Sequence, residues 1–104
     1  MRILAIDTSL GAGFVAAIDD SGAAERPLGP PGWHAAVLTQ ALGDVAAALG
    51  WGAGDDALRG LGEDDVVAVI RGPGSFTGLR VGVTAAKALA WATSARLVGL
   101  SGFD

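Results

Sequence analysis

At 104 residues the chain has room for one domain with one core and is small for a complete two-lobed enzyme. Seven basic against eleven acidic side chains leave a formal charge of −4 with no Lys/Arg cluster, which argues against direct nucleic-acid binding through phosphate neutralisation. The lack of cysteine excludes a disulfide framework and a thiolate metal site, and no charged start followed by a long apolar segment suggests a signal peptide or a membrane span.

The chain opens on Arg2-Ile3-Leu4-Ala5-Ile6-Asp7-Thr8-Ser9, a short apolar run closed by three polar side chains, which reads as a strand. Gly11 and Gly13 turn it into a second apolar run over 14–18, and Asp19-Asp20-Ser21-Gly22 is a hairpin-type turn signal. A weaker third strand is expected over 23–28, before Pro27, Pro30 and Pro31 mark a loop that cannot continue the sheet. Residues 33–49 repeat apolar side chains at Trp33, Val37, Leu38, Ala41, Leu42, Val45 and Leu49, the pattern of an amphipathic helix ending at Gly50. Residues 51–65 alternate glycine with acidic side chains and read as a loop with one helical turn near 55–58. A buried strand at Val66–Ile70, a helix at Phe76–Thr93 and a final strand at Arg96–Leu100 complete the order. A hairpin followed by helix-crossover strands predicts a mixed α/β sheet of five strands with two main helices.

Between the fourth strand and the second long helix lies Arg71-Gly72-Pro73-Gly74-Ser75-Phe76-Thr77-Gly78-Leu79-Arg80-Val81-Gly82. Glycine permits positive φ and close approach, Pro73 stiffens the turn, and Ser75 is a suitable helix N-cap. Free N–H groups at a helix start, with the aligned peptide dipoles, suit an anion such as phosphate. A turn of this kind equally serves to seat a helix tightly on a sheet, and neither a Walker sequence nor a dinucleotide fingerprint is present. Hydrophobic residues make up 51% of the chain, much of it alanine. With a mean hydropathy of +0.48, the domain is expected to bury surface against something else.

Taken together, the strand ending in Asp7-Thr8-Ser9, a lone His34 opening the first helix, and Gly72-Pro73-Gly74-Ser75-Phe76-Thr77-Gly78-Leu79-Arg80 resemble the TsaB (YeaZ) family over essentially the whole chain. The glycine-rich run is the specific part. Ile6-Asp7-Thr8 alone is shared with many actin- and Hsp70-like ATPases and sugar kinases. The resemblance implies an actin-like ATPase (ribonuclease H-like) lobe, 1–104, corresponding to the family's N-terminal lobe with the second lobe absent. It also implies a cytoplasmic role in making threonylcarbamoyladenosine in tRNA, as a non-catalytic partner of a TsaD-like subunit. A TsaE-like ATPase joins the complex, and tRNA is contacted only indirectly. The family's older name is glycoprotease-like.

TsaD-type members hold a metal through two histidines four apart on one helical face. Here Leu38 occupies the position four after His34, and the chain has one histidine, so no metal site is expected and His34 is read as structural. In active relatives an acidic residue ending the first strand helps hold a metal-bound nucleotide. Asp7, Thr8, Ser9, Gly72, Gly74, Ser75, Thr77 and Gly78 are accordingly expected to form a vestigial phosphate loop. No cofactor is expected, because the nucleotide site of this fold lies between two lobes; weak nucleotide binding would need a second lobe or a partner. The simpler role for Asp7 is bonding backbone N–H groups in the turn toward Gly11. No residue reads as a general base or nucleophile, so no catalytic residue is assigned.

The second long helix is apolar nearly all round, which ordinarily means burial on more than one side. Arg80, Thr84, Lys87 and Trp91 share one stripe beside an apolar one containing Val83. With Leu38, Leu42 and Val45 of the first helix, the residues Arg80, Val83, Lys87 and Trp91 are expected to form a partner interface, for a TsaD-like subunit or for a homodimer. The first helix lacks the proline that commonly follows its apolar pair in relatives, and Ser101-Gly102-Phe103-Asp104 stops where the family passes into its second lobe. Two other readings stay open: a fragment of a sugar-kinase-like phosphotransferase, and a self-associating structural domain.

Overall fold

Pairing of five short strands, three of them apolar at most positions, builds the sheet around which everything else is placed. In the computed structural model, residues 1–8, 13–29, 34–52, 56–70 and 76–100 are described, apart from the side chains of residues 34–36, 56–57, 76–80 and 100. The strands are β1 (Ile3–Asp7), β2 (Phe14–Asp19), β3 (Gly22–Pro27), β4 (Val66–Ile70) and β5 (Arg96–Leu100). They form a five-stranded sheet in the order β3-β2-β1-β4-β5. The β1, β2 and β3 pairings are antiparallel, and β4 runs parallel to both β1 and β5. The helices are α1 (His34–Ala48), the single turn α2 (Asp56–Arg59) and α3 (Phe76–Thr93).

Alternation along the strands gives the sheet two faces. Register places Leu4 and Ile6 beside Ala17 and Val15 on one side and beside Val67 and Val69 on the other. These six residues are buried with Leu38, Ala41, Leu42, Val45 and Ala46 of α1, Leu58 of α2, and Ala86 and Ala90 of α3. All described helices therefore cover the same face. The opposite face carries Ile3, Ala5, Phe14, Ala16, Ile18, Val66, Ala68 and Val98. This is the ribonuclease H-like, actin-like arrangement of a mixed sheet with two long helices.

Caps and turns follow from local sequence. The two-residue turn between β2 and β3 is held by Asp19, whose carboxylate accepts bonds from the Ser21 N–H at 2.7 Å and its hydroxyl at 2.6 Å. The hydroxyl of Ser21 and the indole N–H of Trp51 hold the Asp19 carboxyl below its ordinary value. Gly50, at φ 79°, ends α1 in a Schellman motif: its N–H donates to the Ala47 carbonyl, and the Trp51 N–H to that of Ala46. This turn delivers Trp51 to Asp19, with Nε1 2.7 Å from the carboxylate, and sets its ring under the Arg2 guanidinium at 5.5 Å.

At the amino ends of the parallel strands, Asp65 is the tie. It accepts the Arg2 N–H at 2.9 Å, the Arg2 guanidinium at 2.8 Å and the Gly62 N–H at 2.9 Å. Its own carbonyl receives the Arg96 N–H at 2.9 Å, so one residue aligns the starts of β1, β4 and β5. Burial pushes the Asp65 carboxyl up, but the Arg2 guanidinium and the surrounding N–H groups outweigh it and leave the group below its ordinary 3.8. A depressed carboxylate stabilises the fold fully above that ordinary value and loses its contribution as pH falls through the lower folded-state value. Asp65→Asn is expected to cost about 2 kcal/mol at neutral pH. In urea melts at stepped pH, the gap from the parent should close as the pH falls below the ordinary 3.8 and through the lower folded-state value; a gap constant with pH contradicts the assignment.

Candidate functional site

The carboxyl ends of β1 and β4 are adjacent, because the two strands run parallel side by side. The chain leaves β1 toward β2 and leaves β4 toward β5 through α3, in opposite directions. In open α/β sheets such divergence at the carboxyl edge is where a crevice for a ligand forms. Asp7 ends β1 there, half-buried and paired across the strands with Phe14. Thr8 follows it and is 2% exposed. Strand β3 points the same way as β1, since both run antiparallel to β2, so α1 with His34 also departs from this edge.

What fixes α3 over this edge is one close approach. The Gly82 N–H donates to the Thr8 hydroxyl at 3.1 Å in a buried contact linking positions 74 residues apart. A Cβ built on Gly82 would stand 2.5 Å from Thr8 Oγ1 and 3.5 Å from the Ile6 side chain. No real side chain tolerates the first of these distances, so glycine at this place in the helix is dictated by packing. With Gly82 against β1, the first turns of α3, which contain Thr77 and Gly78, start beside the carboxyl edge. Of the expected phosphate loop, then, the structure brings Asp7 and Thr8 together with the beginning of α3. Ser9, Gly72, Gly74 and Ser75 lie outside the described residues, as do the side chains of Thr77 and Arg80.

The expected partner face divides differently. Leu38, Leu42 and Val45 are 3%, 4% and 3% exposed and sit in the core of this chain. Their expectation as interface residues is corrected: α1 spends its apolar stripe on β2 and β3, leaving those side chains none to present. Val83 is half-buried and packs against the same core. The outer side of α3 is free: Thr84, Lys87 and Ala88 are exposed, and Trp91 is 90% exposed. These four recur at helical spacing and form one stripe. Among the described residues no group of three or more His, Cys, Asp or Glu side chains could hold a metal ion.

Two residues that fix the elements around the site, Gly82 at the carboxyl edge and Asp65 at the opposite end of the strands, were given no role from sequence. Gly82 carried a signal, because a glycine inside a helix costs about 1 kcal/mol against alanine and usually marks close backbone packing. Asp65 carried almost none: its partner Arg2 lies 63 positions away.

Comparison with known proteins places these features. The family TsaD, tRNA N6-adenosine threonylcarbamoyltransferase, matches residues 56–104, which include β4, α3 and β5. The solved structure of YeaZ from Pseudomonas aeruginosa is 30% identical with a TM-score of 0.81, covering 96% of this chain and 43% of that one. A second, described as an uncharacterized protein with similarity to peptidase YEAZ from Pseudomonas aeruginosa, is also 30% identical, with a TM-score of 0.82 and the same coverage. The chain thus spans less than half the length of these relatives. None of the curated proteins matches it.

Replacing Gly82 by alanine tests the close approach. Overpacking against a buried β-branched side chain costs about 1–3 kcal/mol, more than the roughly 1 kcal/mol of helix propensity gained. The variant should be destabilised by up to about 2 kcal/mol, and Thr8→Ala should restore part of the loss, so that the double variant is less destabilised than the sum of the singles by at least about 0.5 kcal/mol. Additive effects, or a Gly82→Ala variant more stable than the parent in chemical denaturation, would contradict the contact.

Proposed function

We propose, for a chain that is YeaZ-like (TsaB-like) in sequence and fold, a place in the machinery that makes threonylcarbamoyladenosine in tRNA: that of a non-catalytic partner docked on a TsaD-like subunit. The observation that carries the partner role is Trp91, a large apolar side chain held 90% exposed on the outer stripe of α3. Tryptophan is the residue type most often found at the energetic centre of interfaces, since it buries much area while ordering few torsions. Lys87, one turn before it, is exposed and supplies a charge suited to the rim. Thr84 and Ala88 complete a surface shallow enough for a second helix to approach.

The chemistry available supports a binding role over a catalytic one. His34 is the sole histidine, and the position four residues on is Leu38, a buried core side chain. A two-histidine metal site on α1 is therefore impossible in this sequence. The formal charge of −4 favours tRNA being held by another subunit. A TsaE-like ATPase would enter through the complex and not through this chain alone. Asp7 and Thr8 at the carboxyl edge leave room for weak nucleotide contact once a second lobe or a partner closes over them.

The test is light scattering after size exclusion, with this chain and the TsaD-like subunit of the same organism. A heteromeric species is expected. Trp91→Ala should weaken it at least about tenfold, as for a central anchor, and Lys87→Ala by less than about tenfold, with a reduced salt dependence. Unchanged affinity in Trp91→Ala, or failure of the folded parent to bind, would overturn the proposal.

A further inference from the structure

The Thr8–Gly82 contact meets α3 at a particular angle. Gly82, whose N–H donates to the Thr8 hydroxyl at 3.1 Å, lies on the side of α3 pressed to the sheet. Trp91 comes nine residues later, about two and a half turns of helix, and so points directly away from that contact. Thr84, Lys87 and Ala88 fall within about 60° of the same outward direction. The exposed stripe and the buried pin are therefore opposite sides of one cylinder, and Trp91 stands about 13 Å along its axis from the pin. Turning α3 about its axis moves both together.

The rest of the inward side has little hold on that rotation. It consists chiefly of Ala86 and Ala90, 0% and 8% exposed, whose single methyl groups make shallow knobs against the sheet. Interdigitated larger side chains are what ordinarily lock one element against another. Val83 and Leu89 stand on the flanks, half-buried against the same core. The directional contact is the Gly82 N–H on the Thr8 hydroxyl, and the close approach of the backbone at 82 leaves it one well-fitting orientation.

We propose that Thr8 is the positioning residue of the docking stripe: its hydroxyl sets the rotation of α3, and thereby where Trp91 and Lys87 are presented to a partner that the buried Thr8 does not touch. This rests on the reading of the outer stripe as the docking surface. Side-chain ends lie roughly 5–6 Å from a helix axis, so a rotation of about 20° carries them about 2 Å. That is enough to take an indole out of register with the pocket that receives it. By this route the end of β1 and the outer stripe of α3 behave as one mechanical unit.

Three substitutions separate the hydroxyl of Thr8 from its bulk. Thr8→Val keeps the volume but puts a methyl group where Oγ1 accepts the Gly82 N–H at 3.1 Å. A carbon makes its best contacts at roughly 3.5–4.0 Å, so α3 has to turn or lift. Thr8→Ser keeps the hydroxyl and drops the methyl. Thr8→Ala drops both, and tests the lost acceptor without the clash.

Two readings are taken on each variant, under conditions where urea melts show it fully folded. In two-dimensional amide spectra of the chain alone, Thr8→Val should move the Trp91 indole resonance and the amides of 83–93, while the Trp51 indole, bonded to Asp19, stays in place. Thr8→Ser should return the moved resonances toward the parent positions. Affinity for a TsaD-like subunit should fall at least about threefold in Thr8→Val, fall by less in Thr8→Ala, and recover in Thr8→Ser. Spectra of Thr8→Val that match the parent overturn the proposal. So does a displaced α3 with unchanged affinity, or a Thr8→Ser variant as weak as Thr8→Val, which would mark a loss of general stability. If Thr8→Val does not fold, parent affinity in Thr8→Ala overturns the proposal in its place. A folded parent that does not bind the subunit overturns the docking reading and this inference with it. Binding that is lost in Trp91→Ala yet indifferent to Thr8 leaves the docking reading standing and overturns this inference alone.

Discussion

The buried contact between Gly82 and Thr8 is the constraint on which the rest of the molecule depends. A helix axis ordinarily rides about 10 Å above a sheet on a cushion of side chains, and here glycine removes that cushion at one point. The helix is drawn down onto the end of β1, its N–H reaching a side-chain oxygen 2% exposed to solvent. From that pin the direction of α3 and the starting place of its first turn follow. At the far end of the same strands, Asp65 sets their register through Arg2 and the β5 amide. Strand order and helix placement are thus fixed at both ends by polar contacts, and the apolar core fills the space between.

Placing both long helices on one face has a consequence for function. Their inward stripes are consumed in covering β1, β2 and β4, so what remains for other molecules among the described residues is the outer side of α3 and the sheet face opposite the helices. The first presents one large aromatic beside a cation. The second presents an apolar plane. The outer side of α3 is the surface on which the proposed docking rests.

Much of the architecture was legible in the sequence, because it rests on local patterns. The fourth and fifth strands and the second long helix fall at the expected bounds, Val66–Ile70, Arg96–Leu100 and Phe76–Thr93, since runs of β-branched residues and a proline-free alanine-rich stretch leave little choice. The first helix lies within a residue of its expected span, with Gly50 supplying the stop. The partner face was less legible. Periodicity identifies an apolar stripe but not what covers it, and Leu38, Leu42 and Val45 turned out to face their own sheet. The exposure of Trp91 was readable only as membership of a polar stripe. The apolar sheet face opposite the helices had a faint trace in β1, where Ile3, Leu4, Ala5 and Ile6 are apolar on both sides of the strand, a pattern that anticipates burial of both faces. Ser9, Gly72, Gly74 and Ser75 lie outside the described residues, so the geometry of the expected phosphate loop adds nothing to its chemistry.

Hydrogen exchange, followed by mass spectrometry on the chain alone, with a TsaD-like subunit and with ATP, tests the central claim most directly. The amides of α3 from 84 to 93 should slow on addition of the subunit, while ATP alone leaves every peptide unchanged. Protection by ATP at residues 7–9 and 71–78, with α3 unaffected by the subunit, would show a nucleotide-binding protein with its function at the carboxyl edge and would contradict the partner account.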